Sequence, residues 1–205
     1  GTVLPQEDGK GLRMWYHAHV SDKALLEGKH RYTNLYATSN DGFHWTKPAL
    51  GLYPFQNSTA NNIILMRPDG PGSSHSPNVM HSPWEADPNR RYKMVTYVYY
   101  DGYYGSTSPD GIHFTRKRKL DIEGAFDSLN LAFYDKACGE YRAYYRDLHN
   151  YIGDQKWTGI RDIRNSRSKD FVHWKHFGQL KYGKNAPDFQ MYTNNVRAYD
   201  RAPHM

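Results

Sequence analysis

Alternation of aromatic and polar positions marks three segments of the chain as β-strands. Tyr or apolar residues recur at alternate positions over part of each segment, and a period of two separates the two faces of a strand. The segments are LRMWYHAHV at 12–20, RYKMVTYVYY at 91–100 and EYRAYYRDLH at 140–149. Leu, Ile and Val are sparse in the rest of the chain, which argues against a helical bundle. The pattern predicts an all-β domain.

A turn motif of the form S-x-D-G-x-H, followed by a large aromatic residue, occurs three times. The copies are TSNDGFHW at 38–45, TSPDGIHF at 107–114 and RSKDFVHW at 167–174. Asp-Gly supplies the positive φ that a tight hairpin requires. Phe171 replaces the glycine in the third copy, so we expect that turn to differ. The Asp and His of the motif are interpreted as structural.

Shorter segments that open with Asn precede two of the aromatic strands. They read NVMHSP from Asn78 and NLAFYD from Asn130, and a third copy, NVRAYD, starts at Asn195 near the C-terminus. Each unit therefore contains four short antiparallel strands, A to D, with the turn motif between C and D. Four-stranded units repeated along a chain are typical of a β-propeller. A sandwich of unrelated hairpins is the alternative.

The repeat places about three blades in a single domain spanning residues 1–205. On this frame the blades cover 11–48, 76–118 and 128–178, and a further blade starts in 192–205. The chain is then expected to open at strand B of its first blade. A closed ring needs more strands than these, so we interpret the chain as a fragment of a longer protein. The alternative is that a homo-oligomer supplies the missing strands.

Composition narrows the classes of partner. Aromatic residues make up 15% of the chain, with 18 Tyr and 5 Trp, and such rings stack on the flat faces of ligands. The net charge is +6, but basic and acidic residues are interspersed, and the basic run at 116–119 is interpreted as a solvated strand edge. No nucleic-acid-binding motif and no apolar stretch long enough to cross a membrane are present. One cysteine, Cys138, excludes an internal disulfide.

Strand parity predicts which residues meet at the mouth of the propeller. The start of strand A, the B–C loop and the D–A loop share one end, and the turn motif lies at the other. Counting three residues back from each strand-A Asn gives His75, Asp127 and Tyr192. The other residues expected at this end are Asn62, Arg146, Arg161, Asp162, Asn194, Arg201 and His204, with His17, His19, Asp22, Asp147 and His149 in the B–C loops. Ordinary loop variability is the alternative reading of any one of them.

Two carboxylates flanking a bond are what glycoside hydrolysis requires. Asp127 with Asp162 or Asp147 could supply that pair. An Arg beside an acid suits a base or a stabiliser better than a proton donor, so His75 or His204 becomes the candidate donor. The chain has 11 His but no metal-binding spacing of His or Cys, so no metal or cofactor is predicted to take part in catalysis.

The turn motifs, with the segments HSPNV, FDSLN, EYRAYYRD, GIRDIRNSRSKDFVHW and RAPHM, resemble the five-bladed propeller glycoside hydrolases. That group contains the levanase/invertase and arabinanase/xylosidase families and their anhydrogalactosidase relative, and the chain resembles a separate bacterial branch. The resemblance implies a funnel-shaped site on the propeller axis, lined by carboxyl groups of successive blades. It is also compatible with a structural calcium ion on that axis. His75 stands where an acid is expected, which fits a His acting as the acid, as in the anhydrogalactosidase relative.

Three hypotheses about function follow. The first is a glycoside hydrolase that cleaves glycosidic bonds in poly- or oligosaccharides, with a carbohydrate partner, no nucleic acid and no membrane. The second is a propeller that binds carbohydrate without cleaving it. The third is a basic scaffold for nucleic acid or protein. The first residue, Gly1, is compatible with removal of a leader, so a secreted or periplasmic location stays open.

Overall fold

The computed structural model describes residues 1–19, 32–65, 74–98, 101–115, 118–127, 129–150, 158–188, 190–199 and 201–202. Within these residues every regular element is a β-strand, apart from one 3-10 turn at Pro88–Arg90. The strands form four-stranded antiparallel sheets. The prediction of an all-β fold is therefore confirmed.

Strand order within each sheet follows the order of the sequence. The first sheet contains β1 (Thr2–Pro5), β2 (Leu12–His19), β3 (Tyr32–Ser39) and β4 (Ile63–Leu65). The second contains β5 (Ser74–His81), β6 (Tyr92–Val98), β7 (Gly102–Ser108) and β8 (Arg118–Lys119). The third contains β9 (Leu131–Asp135), β10 (Glu140–His149), β11 (Ile160–Ser168) and β12 (Lys175–Gln179). Each sheet has the four-stranded antiparallel form that the repeat predicted for a blade, but β1 and β4 of the first sheet lie outside the predicted bounds of 11–48.

The first sheet has a strand that the sequence pattern did not predict, so the expectation that the chain opens at strand B is wrong. β1 pairs with β2 from Thr2 opposite Trp15 to Pro5 opposite Leu12. Four residues with a terminal Pro are too few to show a period of two, so the pairing becomes visible only in the structure. At the other end of the chain, the described residues of 192–199 contain no strand. The further blade expected there stays a prediction.

The chain divides into two compact units. The first unit comprises 1–101 and 106–116, and its core contains Trp15, Tyr36, Ile64, Val79 and Met94. The second unit comprises 102–105 and 117–205. Its core includes Tyr103 stacked on Phe126 at 5.2 Å between ring centroids, and Phe126 is 5.3 Å from the ring of Tyr145.

Arg13 is enclosed by aromatic rings in the first unit. Its guanidinium carbon lies 5.0 Å from the ring of Trp15, 5.4 Å from that of Tyr36 and 4.9 Å from that of Tyr92. Nε donates to the Tyr36 hydroxyl at 2.8 Å, Nη1 donates to the Tyr92 hydroxyl at 2.7 Å, and Nη2 donates to the carbonyl of Asp110. Every nitrogen of this buried guanidinium therefore has an acceptor.

The three copies of the turn motif have the same internal hydrogen bonds. In the first copy the Ser39 hydroxyl accepts from the backbone N–H of Gly42, and one oxygen of Asp41 accepts from the backbone N–H groups of Phe43 and His44. The other Asp41 oxygen lies 2.6 Å from Nδ1 of His44. Equivalent contacts recur at 108–113 and 168–173. The Ser, Asp and His side chains of the motif therefore make these hydrogen bonds within the motif, in agreement with a structural role.

Phe171 occupies the position that glycine holds in the other two turns. Its φ is +67°, close to +82° at Gly42 and +78° at Gly111. The expectation that this turn would differ is wrong for its backbone. Packing of the buried Phe171 ring against Tyr141 and Trp174 offsets the cost of a left-handed conformation in a residue with a side chain.

Candidate functional site

One end of the third sheet carries most of the predicted site residues. β10 and β11 pair with Leu148 opposite Arg161 at this end, and with Tyr141 opposite Ser168 at the other. The segment before β9 contains Asp127 and reaches the same end as the last residues of β10. The turn that follows Ser168 lies at the far end, as strand parity predicted.

Asp127 is held by Arg146. Nη2 of Arg146 donates to one carboxylate oxygen at 2.9 Å, and the Arg146 side chain is only 4% exposed, whereas that of Asp127 is 35% exposed. Asn130 fixes the backbone around this pair, since its side-chain oxygen accepts from the N–H of Arg146 and its amide donates to the carbonyl of Phe126. The result is a carboxylate open to solvent on a buried cationic support.

Tyr192 joins two arginines of the sheet. Its ring centroid is 5.4 Å from the guanidinium carbon of Arg146 and 5.4 Å from that of Arg161. Gln190 holds Arg161 in place, because its side-chain oxygen accepts from Nη1 of Arg161 at 3.0 Å. The backbone N–H of Met191 donates to the carbonyl of Arg161. The segment 190–192 is thus attached to β11.

Several donors of these two arginines have no acceptor within the part of the chain that the structure describes. Nε and Nη1 of Arg146 and Nε of Arg161 are buried and lack a hydrogen-bond partner among the described residues. Buried guanidinium N–H groups are normally paired, since an unpaired one loses its hydration without compensation. The arrangement therefore has unused capacity to bind an acceptor.

Asp162 and His149 form a second group on this sheet. One oxygen of Asp162 lies 2.6 Å from Nδ1 of His149, and Nε2 of His149 lies 3.6 Å from a carboxylate oxygen of Asp188. Asp162 is 1% exposed, His149 is 21% exposed and Asp188 is 63% exposed. The buried carboxylate of Asp162 orients the His149 ring, so Nε2 points towards the exposed carboxylate of Asp188.

Asp147 lies directly opposite Asp162 in the paired strands. Nε of Arg164 is 2.9 Å from a carboxylate oxygen of Asp147 and 3.6 Å from one of Asp162. Burial raises the pKa of Asp147 above its usual value, and the backbone N–H of Leu148 and the charge of Arg164 only partly oppose this. Arg164 is therefore the cation shared by two neighbouring carboxylates.

The two groups are built on opposite faces of the sheet. Asp147 pairs with Asp162, while the adjacent residue Arg146 pairs with Ile163. Side chains alternate between faces along a strand, so Arg146 projects from the face opposite Asp162. We refer below to the Asp127–Arg146 group and the Asp162–His149 group.

The remaining predicted residues have different surroundings. Asn62 is buried in the first unit, where its amide donates to the carbonyl of Tyr36 and the hydroxyl of Tyr16. Asn194 donates to the carbonyl of Leu129 at 3.3 Å, and Arg201 is exposed. The backbone of His75 lies in β5 opposite Tyr97, but its side chain and the whole of His204 lie outside the described residues.

Three participants were missing from the residues predicted at this end of the sheet: Arg164, Asp188 and Gln190. Asp147 and His149 were expected there from the B–C loop. A signal for Arg164 was available, because pairing YRDLH with RDIR in register puts Asp147 opposite Asp162, two residues before Arg164. The other two lie in a segment without regular structure, and no pattern in the sequence indicates which strand it contacts.

Metal clusters and membrane-spanning helices are both missing from the described residues. In this part of the molecule, no group of three or more His, Cys, Asp or Glu side chains is arranged to hold a metal ion. No helix of the described residues is long and apolar enough to cross a membrane.

Comparison with known proteins shows the fold. The chain is similar to an N-acetylgalactosamine deacetylase from F. plautii, solved in complex with blood group B trisaccharide, with a TM-score of 0.59 and 12% identity over 85% of this chain and 50% of the deacetylase chain. It is also similar to the solved RGII complex of BT0996, with a TM-score of 0.56 and 14% identity over 95% of this chain and 58% of that one. The chain thus spans about half the length of these structures. No protein-family model and no curated protein sequence matches it.

Proposed function

We propose that this protein acts on carbohydrate and cleaves glycosidic bonds in poly- or oligosaccharides by acid–base catalysis. The observation that carries the proposal is Asp127, a partly exposed carboxylate fixed by the buried Arg146 beside the exposed ring of Tyr192. Exposed Tyr rings suit the apolar faces of sugars, and a fixed carboxylate suits a base or nucleophile. The two similar structures, one a sugar deacetylase solved with a trisaccharide, support a carbohydrate substrate.

Asp127 and His149 do not act on the same bond in this proposal. Asp127 acts as the carboxylate that attacks the sugar or activates water. His149 and Asp162 project from the opposite face of the sheet, where Asp162 holds the ring through Nδ1, so the proton donor for a bond beside Asp127 is a different group. Asp162 is then a positioning residue rather than a group that contacts the substrate, because it is buried.

The test measures release of reducing sugar from a panel of neutral and acidic oligosaccharides by the wild-type chain, D127N and D162N. We expect D127N to lower kcat at least 100-fold with little change in the melting temperature, since removal of a catalytic carboxylate acts on the transition state. D162N is expected to lower kcat much less than D127N, because Asp162 projects from the face of the sheet opposite the Asp127–Arg146 group. The control is D170N in the turn motif, which should retain full activity.

Undiminished cleavage by D127N would contradict the assignment. Release of acetate from N-acetylated sugars without any new reducing end would replace glycoside cleavage by deacetylation.

A second candidate is a propeller that binds carbohydrate without cleaving it. It is favoured by the burial of Asp147 and Asp162, whose carboxylates are already engaged by Arg164 and His149. Binding of an oligosaccharide that depends on Tyr192, with no turnover by the wild-type chain, would select this alternative.

A further inference from the structure

Arg146 and Arg161 form a cationic pair that exceeds the negative charge around it. Arg146 is paired with Asp127 at 2.9 Å. Arg161 contacts the neutral side chain of Gln190 and the ring of Tyr192, and no carboxylate among the described residues pairs with it. Two guanidinium groups therefore face one ring and only one of them is neutralised.

The hydrogen-bonding capacity of the pair is also incompletely used. Nε and Nη1 of Arg146, and Nε of Arg161, have no acceptor among the described residues although all three atoms are buried. Arg146 itself is almost wholly removed from solvent, since only 4% of its side chain is exposed. An acceptor that carries negative charge would satisfy both the unfilled donors and the excess of positive charge.

The surroundings of the pair are accessible. Tyr192 is 54% exposed, and the side chain of Asp127 is 35% exposed. A ligand can therefore contact the Tyr192 ring from solvent, next to the two arginines that the ring contacts. An acidic sugar presents the matching combination to a protein, a ring face and a charged substituent.

We propose that Arg146 and Arg161 bind the anionic group of an acidic sugar, with Tyr192 packed on the sugar ring. The inference rests on the proposed action on carbohydrate and adds the substrate class to it. The anionic group is an oxyanion, and its sources are the carboxylate of a uronic acid and a sulfate ester. Asp127 then lies next to the bound acidic residue.

The test is isothermal titration of the wild-type chain with three sets of probes. They are oligosaccharides ending in glucuronate or galacturonate, the methyl esters of the same oligosaccharides, and O-sulfated oligosaccharides. We expect the uronates or the sulfates to bind at least 10-fold more tightly than the esters, and the affinity to fall as NaCl is raised. Comparison of the uronate and sulfate arms identifies the oxyanion.

Two matched variants locate the effect. R161Q removes a charge at the site and is expected to lower affinity for the charged probe at least 10-fold. R167Q removes a charge from the same strand at the opposite end of the sheet, where Arg167 stacks on Phe177 and pairs with Glu140, and should leave affinity unchanged. The Nε–H signal of Arg146 in NMR spectra should shift with the charged probe, a readout that does not depend on a variant.

The outcomes separate this inference from the proposed function. Equal binding of acids and methyl esters, or an equal loss of affinity in R161Q and R167Q, overturns the inference while cleavage of neutral sugars can still stand. Failure of every charged probe to bind also overturns it. Charge-dependent binding that R161Q abolishes, without cleavage of any probe, supports the inference and contradicts glycoside hydrolysis.

Discussion

Two buried arginines, one in each unit, have different roles although their side chains are the same. Arg13 and Arg146 both lie against aromatic rings and both are largely removed from solvent. Arg13 donates from all three nitrogens to acceptors within its own unit, two Tyr hydroxyls and the carbonyl of Asp110. Arg146 uses only Nη2, and its Nε and Nη1 have no described partner.

The difference separates a structural residue from a candidate binding residue. A cation that fills its hydrogen bonds internally cross-links strands and has nothing left for a ligand. A cation that retains buried, unfilled donors lowers stability in the free protein and recovers that loss when an acceptor binds. The predictions below test this contrast, starting with the largest expected effect.

Truncation should distinguish the two arginines by stability. We expect R13A to lower the free energy of unfolding by about 3–5 kcal/mol, because it leaves the hydroxyls of Tyr36 and Tyr92 and the Asp110 carbonyl without their donor in a buried place. R146A should cost about 1 kcal/mol, since it removes unpaired donors together with one ion pair whose carboxylate is open to water. Urea unfolding of both variants, followed by fluorescence, measures the two values. Equal losses would abolish the distinction.

The third turn offers a similar comparison between conformation and packing. F171G should relieve the left-handed strain, worth about 1 kcal/mol, but remove a buried ring, worth about 3–5 kcal/mol. We therefore expect a net loss of about 2–4 kcal/mol in unfolding free energy. A gain in stability would mean that strain at Phe171 outweighs its contacts with Tyr141 and Trp174. Thermal unfolding of F171G and of the wild-type chain measures this difference.

Two glycines of the same motif should respond unequally to alanine. A Cβ at Gly111 would lie 2.9 Å from Nη2 of Arg13 and 2.9 Å from Cζ2 of Trp15, whereas at Gly42 the nearest atom is Cδ1 of Leu12 at 3.3 Å. Both variants incur the cost of positive φ, about 1–2 kcal/mol. G111A should lose about 1 kcal/mol more because it also disturbs the aromatic surroundings of Arg13. Denaturation midpoints of the two variants provide the comparison.

The smallest expected effect concerns pH. Hydrogen bonds from the His44 ring and from the backbone N–H groups of His44 and Phe43 hold the pKa of Asp41 far below its usual range. The folded-state pKa is therefore below the unfolded value of about 3.9, so the stabilisation is present above about pH 4 and is lost as pH falls towards the folded pKa. The stability difference between the wild-type chain and D41N should be larger at pH 6 than at pH 3. Guanidinium titrations at both pH values would show it, and a constant difference would contradict it.

Much of the fold could be predicted from local patterns. Alternation of aromatic residues located β2, β6 and β10, and the turn motif established the four-stranded repeat and the end of each sheet at which the turn lies. β1 was missed because its four residues carry no readable period. The backbone conformation at Phe171 was missed because local propensity disfavours it and tertiary packing overrides that propensity.

The candidate site was predictable only in part. Asp127, Arg146, Arg161 and Tyr192 were expected at one end of the sheet from strand parity, and the structure brings them into contact. The partners of His149 and the position of Gln190 were not predicted, because they depend on how distant segments pack against the sheet.

By itself, the sequence determined the order of strands, the repeat and the closed geometry of its turns, because these depend on residues within a few positions of one another. Only the tertiary structure decided which buried cation is fully paired and which is not. Arg13 and Arg146 occur in similar aromatic strands, and nothing near them along the chain distinguishes them. The donors of Arg13 are filled by residues far away in the sequence, such as Tyr92 and Asp110, and those contacts exist only after the strands have packed.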